Sequence, residues 1–221
     1  KVELVSELRS CIKPCGSDGM QMLQHPLMVT APYLPECNAI YNGQLRQKLV
    51  ARMRYRSEKM WAQLIWLHER PYRLQAFLEY SVQMDDSTYW ELLADIWMDA
   101  ERPSVNQQQW LRLFQVTGRS HRSALMSPSA HSAVRTMPEK LTVYRGVAGG
   151  SPVRGMSWTL SQEQAEFFAR RFGRPNPRVY SGVLSKDSIL AYFSGRGEQE
   201  VLVDPRDLPA TVTRVQLSGG E

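Results

Sequence analysis

The chain has 221 residues, of which 43% are hydrophobic and 22% are charged, and its formal net charge is +5. This length suggests one or two domains, and the composition excludes a disordered chain, a fibre and a coiled-coil rod. No apolar run reaches the ~18–20 residues of a membrane span. The chain begins with Lys1 and shows no signal-peptide pattern, so we expect a trimmed start, no membrane and a cytoplasmic location.

Residues 1–42 are predicted to be irregular, because prolines and glycines interrupt them too often for long elements. They hold all three cysteines, an odd number that argues against a disulfide scaffold and for a reducing compartment. Their spacing matches no standard zinc finger, so we predict no metal. Buried free thiols are favoured over a zinc site built from Cys11, Cys15, His25 and Cys37.

The strongest helical pattern covers residues 44–69, before Pro71. Its apolar positions recur at helical spacing and should face inward: Leu45, Leu49, Met53, Met60, Leu64 and Leu67. The opposite side carries a cationic stripe: Lys48, Arg52, Arg56 and Lys59. We interpret this stripe as a solvated helix face, with a phosphate-tracking surface as the alternative.

Three further helices complete a mostly helical region over residues 1–118. One covers 72–83, and a second starts near Thr88, where Thr88 and Glu91 have capping-box spacing. A third starts near Ser104. The aromatic residues of these helices are interpreted as core.

Short β-type runs follow a segment, 118–139, that is rich in Gly, Ser, His and Pro. They cover 141–144, 155–159, 179–184, 188–193, 199–203 and 211–217. One helix interrupts them at 162–172, with Ser161 and Gln164 as a capping box and Ala165, Phe168 and Phe172 as its buried stripe. We therefore predict an α+β fold with a second domain over 119–221.

The usual nucleotide and hydrolase motifs are absent. The sequence contains no G-x-G-x-x-G after a strand, no phosphate-binding P-loop and no H-E-x-x-H. These absences argue against a dehydrogenase, a P-loop enzyme and zinc hydrolysis, and a Ser-His-Asp triad has no local support.

Three features of the second domain combine residues able to do chemistry. Arg145 ends a strand and precedes Gly146, so its planar guanidinium could meet a pyrophosphate. Ser157 and Thr159 share one side of a strand, with Trp158 on the other. Glu198 and Glu200 enter the strand that continues to Val203, and strand alternation places both carboxylates on one face. Each feature alone is more often structural, but all three together are seldom coincidental.

In order and spacing, these segments resemble the R-S-E class of mono-ADP-ribosyltransferases. The resemblance covers roughly residues 120–221 and is carried by TVYRGV (142–147), GMSWTLSQEQAEFFARRF (155–172) and GRGEQEVLVDP (195–205). The family usually has Ser-Thr-Ser where this chain has Ser-Trp-Thr, so the match is firm for Ser157 and weaker for Thr159. The resemblance implies a split two-sheet fold that binds NAD+ as a substrate and cleaves its nicotinamide glycosidic bond.

The resemblance also implies roles for individual residues. Glu200 stabilises the charge that develops on the ribose, Ser157 holds Glu200, and Glu198 orients or deprotonates the nucleophile. The expected NAD+ contacts are Tyr144, Arg145, Gly146, Ser157 and Thr159. The loop 192–197 is expected to touch the acceptor through Tyr192, Phe193 and Arg196, and the basic segment 173–178 to lie over phosphate; a plain connecting loop is the alternative for both.

The predicted function is transfer of ADP-ribose from NAD+ to a macromolecule. The basic charge favours RNA or DNA as the acceptor, whereas Glu198 favours a protein arginine, so both stay open. By analogy of size and layout, the chain is similar to toxins of toxin–antitoxin or phage-conflict systems, which suggests a neutralising antitoxin as a partner. The alternatives are an NAD glycohydrolase and a non-catalytic binding module with the same fold.

Overall fold

The computed structural model describes residues 2–17 and 19–217. The chain divides into two compact units, Lys1–Glu101 and Arg102–Glu221. The described residues form α-helices and two antiparallel sheets, of three and six strands, so the chain is an α+β protein. The predicted domain boundary at 118/119 lies inside the second unit. Over the described ranges, no helix is both long and apolar enough to cross a membrane.

The start of the first unit is ordered, so the prediction of an irregular segment over residues 1–42 was wrong. A short helix, α1 (Ser6–Arg9), precedes an antiparallel sheet of β1 (Ile12–Cys15), β2 (Met20–His25) and β3 (Met28–Pro32). The Gly and Pro residues punctuate turns between short strands instead of preventing them: Gly19 has φ +73 just before β2. Pro14 lies in edge strand β1, where a missing N–H is tolerated.

The cysteines of this region are free thiols, but they are not buried as predicted. Cys15 is exposed, and Cys11 and Cys37 are half-buried. Within the described residues, no group of three or more His, Cys, Asp or Glu side chains could hold a metal ion.

Four helices follow in the first unit: α2 (Asn38–Ser57), α3 (Trp61–Trp66), α4 (Arg73–Tyr80) and α5 (Asp86–Asp99). The single helix predicted over 44–69 is therefore two. The break is a Schellman motif, in which Met60 N donates to Tyr55 O at 2.8 Å and Lys59 N donates to Arg56 O at 3.2 Å. Lys59 takes the left-handed conformation, φ +55, that this motif requires.

The cationic stripe is not a uniform solvent-facing surface. Lys48 and Arg52 are half-buried, and the guanidinium of Arg56 lies 5.8 Å from the ring centre of Tyr80. Met53, which was predicted to face inward, is 64% exposed. The side of α2 that is covered depends on the break after Ser57 and on the sheet before α2. Both lie outside the α2 sequence, so its periodicity could not predict them.

At the start of α5, a different residue caps the helix from the one predicted. The side chain of Asp85 accepts a hydrogen bond from Thr88 N at 3.0 Å, which lowers the pKa of Asp85. The aromatic residues of α4 and α5 form core as predicted: Phe77 and Trp90 are fully buried.

The described residues of the second unit form three α-helices and a six-stranded sheet. The helices are α6 (Gln107–Phe114), α7 (Pro128–Thr136) and α8 (Gln162–Arg170). The strands are β4 (Lys140–Val147), β5 (Ser157–Thr159), β6 (Arg178–Ser185), β7 (Ile189–Phe193), β8 (Glu200–Val203) and β9 (Thr213–Val215). All six predicted strands are present. Helix α7 was not predicted.

Hydrogen bonds join the six strands into one sheet, in the order β7-β8-β5-β4-β6-β9. The resemblance implied a split fold of two sheets, whereas the described strands of this unit form one sheet. The joint in the middle is narrow, because β4 and β5 are in register at a single pair, Tyr144 and Thr159. The sheet is thus nearly divided into halves of three strands, β7-β8-β5 and β4-β6-β9.

The two faces of this sheet pack differently. One face carries the main core, which includes Val143, Trp158, Leu184, Val201 and Val203. The other face receives α8, whose Ala165 and Ala169 are buried against Val179 of β6. Alternation along β5 explains the division, since Trp158 points into the main core and its neighbours to the opposite side.

Candidate active site

Arg145 lies in β4, beside the narrow joint of the sheet, and is half-buried. Its Nη1 donates to the carbonyl oxygen of Ser157 at 2.5 Å, and its Nε and Nη2 each lie 3.4 Å from the carbonyl oxygen of Pro152. Burial lowers the pKa of Arg145 to about 10, and the charge of Glu200 opposes that change. The guanidinium is therefore still cationic at neutral pH.

Two glycines give Arg145 and its strand their positions. A Cβ on Gly155 would lie 2.5 Å from Nη2 of Arg145, so the guanidinium occupies space that only glycine leaves open. A Cβ on Gly146 would lie 1.9 Å from the backbone oxygen of Ala165, so glycine lets α8 pack directly on β4. Gly146, a predicted NAD+ contact, thus has a packing role of its own.

Ser157 and Glu200 meet between β5 and β8. The register pairs Thr159 with Glu200 and Ser157 with Leu202, so Ser157 and Glu200 occupy positions two residues apart on one face. The hydroxyl of Ser157 donates a short hydrogen bond to Oε1 of Glu200. The carbonyl of Ser157 accepts from Arg145, so one serine contacts both the cation and the carboxylate.

Trp158, between the two hydroxyl residues, anchors the loop that leads into β5. Its ring is 2% exposed, and its Nε1 donates to the carbonyl oxygen of Gly155 at 2.9 Å. This bond fixes Gly155 against Arg145. The aromatic residue that departs from the usual Ser-Thr-Ser motif therefore supports the arginine indirectly.

Thr159 is buried, and backbone groups engage its hydroxyl. Oγ1 donates to the carbonyl oxygen of Glu198 at 2.7 Å and accepts from Ser161 N at 3.1 Å. These bonds hold the segment before Glu200 against the start of α8. The contact that the structure gives Thr159 is thus with the chain itself.

The two glutamates do not share a strand, so the expectation from strand alternation was wrong. Strand β8 begins at Glu200, Gln199 has φ +46, and Glu198 follows a short 3-10 helix, Gly195–Gly197, with helical dihedral angles. The glycines of this segment allow a turn that strand periodicity cannot describe. Glu198 is half-buried, and its carbonyl is bound to Thr159.

The predicted acceptor contacts before this turn lie in the core. Tyr192 and Phe193 end β7 and are 6% and 8% exposed. Tyr192 packs in the main core, and burial raises its pKa. They were predicted to belong to a loop that touches the acceptor, but both belong to β7 and pair with β8. Successive strand residues point to opposite faces, so both faces are covered here. The side chain of Arg196 lies outside the described part of the chain.

Tyr144 is half-buried and packs against the cluster of Ala165, Ala169 and Val179. It pairs with Thr159 across the narrow joint. Tyr144 therefore lies on the α8 side of the sheet, beside the strand positions of Ser157 and Glu200.

Arg178 adds a second arginine at this end of the sheet. It begins β6 and pairs with Val147 of β4, while Arg145, two residues earlier in β4, pairs with Tyr180. Directly paired residues share a face, so Arg178 and Arg145 start from the same face of neighbouring strands. The Nε of Arg178 is buried and has no hydrogen-bond partner among the described residues. The sequence signal for this residue is the basic segment 173–178, which it ends.

The first unit holds an open cleft of about 520 Å³, lined by residues that include Lys59, Trp61, Gln83, Asp85 and Glu91. None of the predicted site residues lines this cleft. The chemistry-bearing groups thus gather elsewhere, at the joint between β4, β5 and β8.

Comparison of this chain with protein-family models, with curated proteins and with solved structures found no match.

Proposed function

We propose that the chain is a mono-ADP-ribosyltransferase that transfers ADP-ribose from NAD+ to a macromolecular acceptor. One observation carries the proposal: Ser157 donates to the Glu200 carboxylate through its hydroxyl and accepts from the Arg145 guanidinium through its carbonyl. An arginine, a serine and a glutamate from three strands thus meet at one joint. The near division of the sheet at that joint supports an ADP-ribosyltransferase fold.

Glu200 is the residue that would assist bond cleavage. Breaking the bond between nicotinamide and ribose develops positive charge on the sugar, as glycoside hydrolysis does. A fixed carboxylate stabilises that charge more in the transition state than in the ground state. The Ser157 hydrogen bond holds the carboxylate in one orientation, which avoids reorganisation during the reaction.

The arginines suit the diphosphate of NAD+. The described hydrogen bonds use three of the five N–H groups of Arg145, which leaves one N–H on each terminal nitrogen for a phosphate oxygen. A buried donor without a partner, such as Nε of Arg178, costs roughly 1–3 kcal/mol, and an anionic oxygen would satisfy it. Both arginines would hold the substrate by charge-assisted hydrogen bonds.

Glu198 would orient or deprotonate the acceptor nucleophile. It is held to β5 through its carbonyl, while its side chain stays partly accessible. Such assistance typically contributes about 10²–10⁴-fold to a rate. Because Glu198 acts on the acceptor and Glu200 on the sugar, their loss should affect transfer and cleavage differently.

The proposed setting is the cytoplasm of a bacterial or phage-infected cell, where such an enzyme would act as a toxin. The acceptor would be a nucleic-acid base or a protein arginine, and a neutralising protein would be a further partner. The analogy of size and layout supports that setting.

The test is incubation of the protein with labelled NAD+ and total cellular protein and RNA, followed by mass spectrometry for an added ADP-ribose. We expect label on a macromolecule, and at least a ~10²-fold slower release of nicotinamide from Glu200→Gln. Free ADP-ribose as the sole product would identify a glycohydrolase instead.

Glu198→Gln is the matched control, because it makes the same change two residues away. We expect it to reduce transfer to the acceptor more than cleavage of NAD+ by water. Equal NAD+ turnover by Glu200→Gln and the unaltered protein would refute the catalytic assignment of Glu200, whereas no turnover by either would leave a non-catalytic binding module.

A further inference from the structure

The connection between α8 and β6 is basic and presents an exposed aromatic ring. The connection, residues 171–177, contains Arg171 and Arg174 and no acidic residue, and Arg170 and Arg178 flank it. Phe172 was predicted to lie in the buried stripe of the helix, and that prediction was wrong: α8 ends at Arg170, and Phe172 is 74% exposed. The Phe172 ring is therefore accessible for stacking, and cations flank it.

The backbone and the neighbouring cations hold this ring outward. Phe172 has φ +79, a left-handed conformation that bulky side chains rarely adopt and that concentrates at functional positions. The guanidinium carbon of Arg171 lies 4.7 Å from the Phe172 ring centre, and that of Arg174 lies 5.9 Å away. We call these three residues, Arg171, Phe172 and Arg174, the aromatic platform.

The platform packs against the loop that positions Arg145. Gly149 N donates to the carbonyl oxygen of Pro175 at 3.0 Å, and Cδ of Arg174 lies 3.4 Å from the position of a Cβ on Gly149. Three residues further along the same loop, Pro152 accepts from Arg145. The platform therefore adjoins the arginine end of the candidate active site.

We propose that the aromatic platform binds single-stranded nucleic acid as the acceptor, an inference that rests on the proposed transferase function for its catalytic meaning. A base would stack on Phe172, and Arg171 and Arg174 would contact the flanking phosphates. Residues 167–178 contain no acidic side chain that would repel a polyanion. Duplexes do not offer an unstacked base to a protruding ring, so the platform is specific for single strands.

The first experiment measures binding without NAD+, by fluorescence anisotropy of labelled strands of about 12 nucleotides. RNA, DNA and a duplex of equal length are compared, and the tighter of the two single strands identifies the acceptor chemistry. We expect Phe172→Ala to weaken single-strand binding roughly five- to hundred-fold, and Phe172→Trp to preserve it. Phe167→Ala is the matched control, because Phe167 is 59% exposed, lies on α8 and should be neutral.

The second experiment measures the salt dependence of the same binding. Arg171→Gln and Arg174→Gln should each reduce the slope of log affinity against log salt by about 0.7, the loss of one phosphate contact to a single strand. Unchanged slopes, duplex binding as tight as single-strand binding, or equal binding by Phe172→Ala would each overturn the proposal. A protein acceptor would be indicated if none of the strands binds.

Two further readouts separate this proposal from the proposed function. Glu200→Gln should bind the strand as the unaltered protein does, so binding stands even if NAD+ cleavage is absent. Phe172→Ala should leave the KM for NAD+ unchanged when water is the acceptor. A severalfold rise in that KM would place the ring in the NAD+ site and overturn the acceptor assignment.

Discussion

The two ends of strand β8 each hold a carboxylate beside a guanidinium, and the protein uses them differently. Asp204, directly after the strand, is 2% exposed. It accepts from Nη2 of Arg206 at 2.6 Å, from the backbone N of Arg206 at 2.9 Å and from Nε2 of Gln115 at 2.8 Å. These bonds lower the pKa of Asp204 to about 2, and the hydrogen bond from the Arg206 side chain contributes most to the change.

Glu200, at the other end, is half-buried and is held by a neutral hydroxyl from Ser157. Its nearby guanidinium, Arg145, is bound to the carbonyls of Ser157 and Pro152, and Glu200 influences it through charge. The charge of Asp204 is committed to holding the chain together. Glu200 is oriented by Ser157, the residue that also contacts Arg145, which is why Glu200 and not Asp204 is the proposed catalytic group.

The largest expected effect on this comparison comes from Asp204→Asn. A pKa change from 3.8 to about 2 corresponds to about 2 kcal/mol of folding free energy at neutral pH, so we expect a loss of that size in urea unfolding. The rate of NAD+ cleavage per folded molecule should stay within about twofold. A large rate loss without destabilisation would erase the distinction between the two ends.

The pH dependence sharpens the same prediction. The pKa of Asp204 is depressed in the folded state, so its stabilisation is present above the unfolded value of 3.8 and is lost as pH falls through about 2. The difference in unfolding free energy between the unaltered protein and Asp204→Asn should therefore shrink from pH 4 towards pH 2. A difference that stays constant over this range would mean that the charge of Asp204 is not its cause.

A smaller effect is expected at the other end, from Ser157→Ala. Removal of the hydroxyl frees the Glu200 carboxylate to rotate, so we expect about a tenfold lower kcat for NAD+ cleavage and little change in KM. Ser157→Thr retains the hydroxyl and should restore most of the rate. If Thr is as slow as Ala while the fold is intact, the hydroxyl does not position Glu200.

The smallest effect is expected from Gly155→Ala. Its Cβ would meet the flexible end of Arg145 at 2.5 Å, so the arginine should shift at little cost in stability. We expect a roughly threefold to fivefold higher KM for NAD+ with kcat nearly unchanged, because displaced binding groups weaken positioning. A fall in kcat with normal KM would instead link Arg145 to the chemical step.

Much of the second unit could be predicted from its sequence. The runs around Val143, Val201 and Val183 alternate or cluster in β-type residues, and each is a strand of the sheet. The capping residue Ser161 also marks the start of α8, because its hydroxyl accepts from Gln164 N. These signals are local: they depend on side-chain periodicity and on the backbone groups of one helical turn.

Other features depend on contacts that no local pattern carries. Helix α2 ends at Ser57, and Lys59 takes the left-handed conformation two residues later, where glycine would be expected. The segment before Glu200 turns at Gln199, so strand alternation could not place Glu198. Phe172 has the residue type and spacing of a core position, yet the chain leaves α8 two residues before it.

For residues 140–217, the sequence by itself determined the order and type of the elements and the identity of the residues that resemble a transferase site, because propensity and periodicity act over a few neighbouring residues. Only the tertiary structure decided that Arg145, Ser157 and Glu200 meet, that Tyr192 and Phe193 are core, and that Phe172 is exposed. The first two outcomes follow from strand register, while Gly146 lets α8 pack on β4 and Gly155 leaves room for the Arg145 guanidinium. Such close approaches join residues tens of positions apart, and no local signal encodes them.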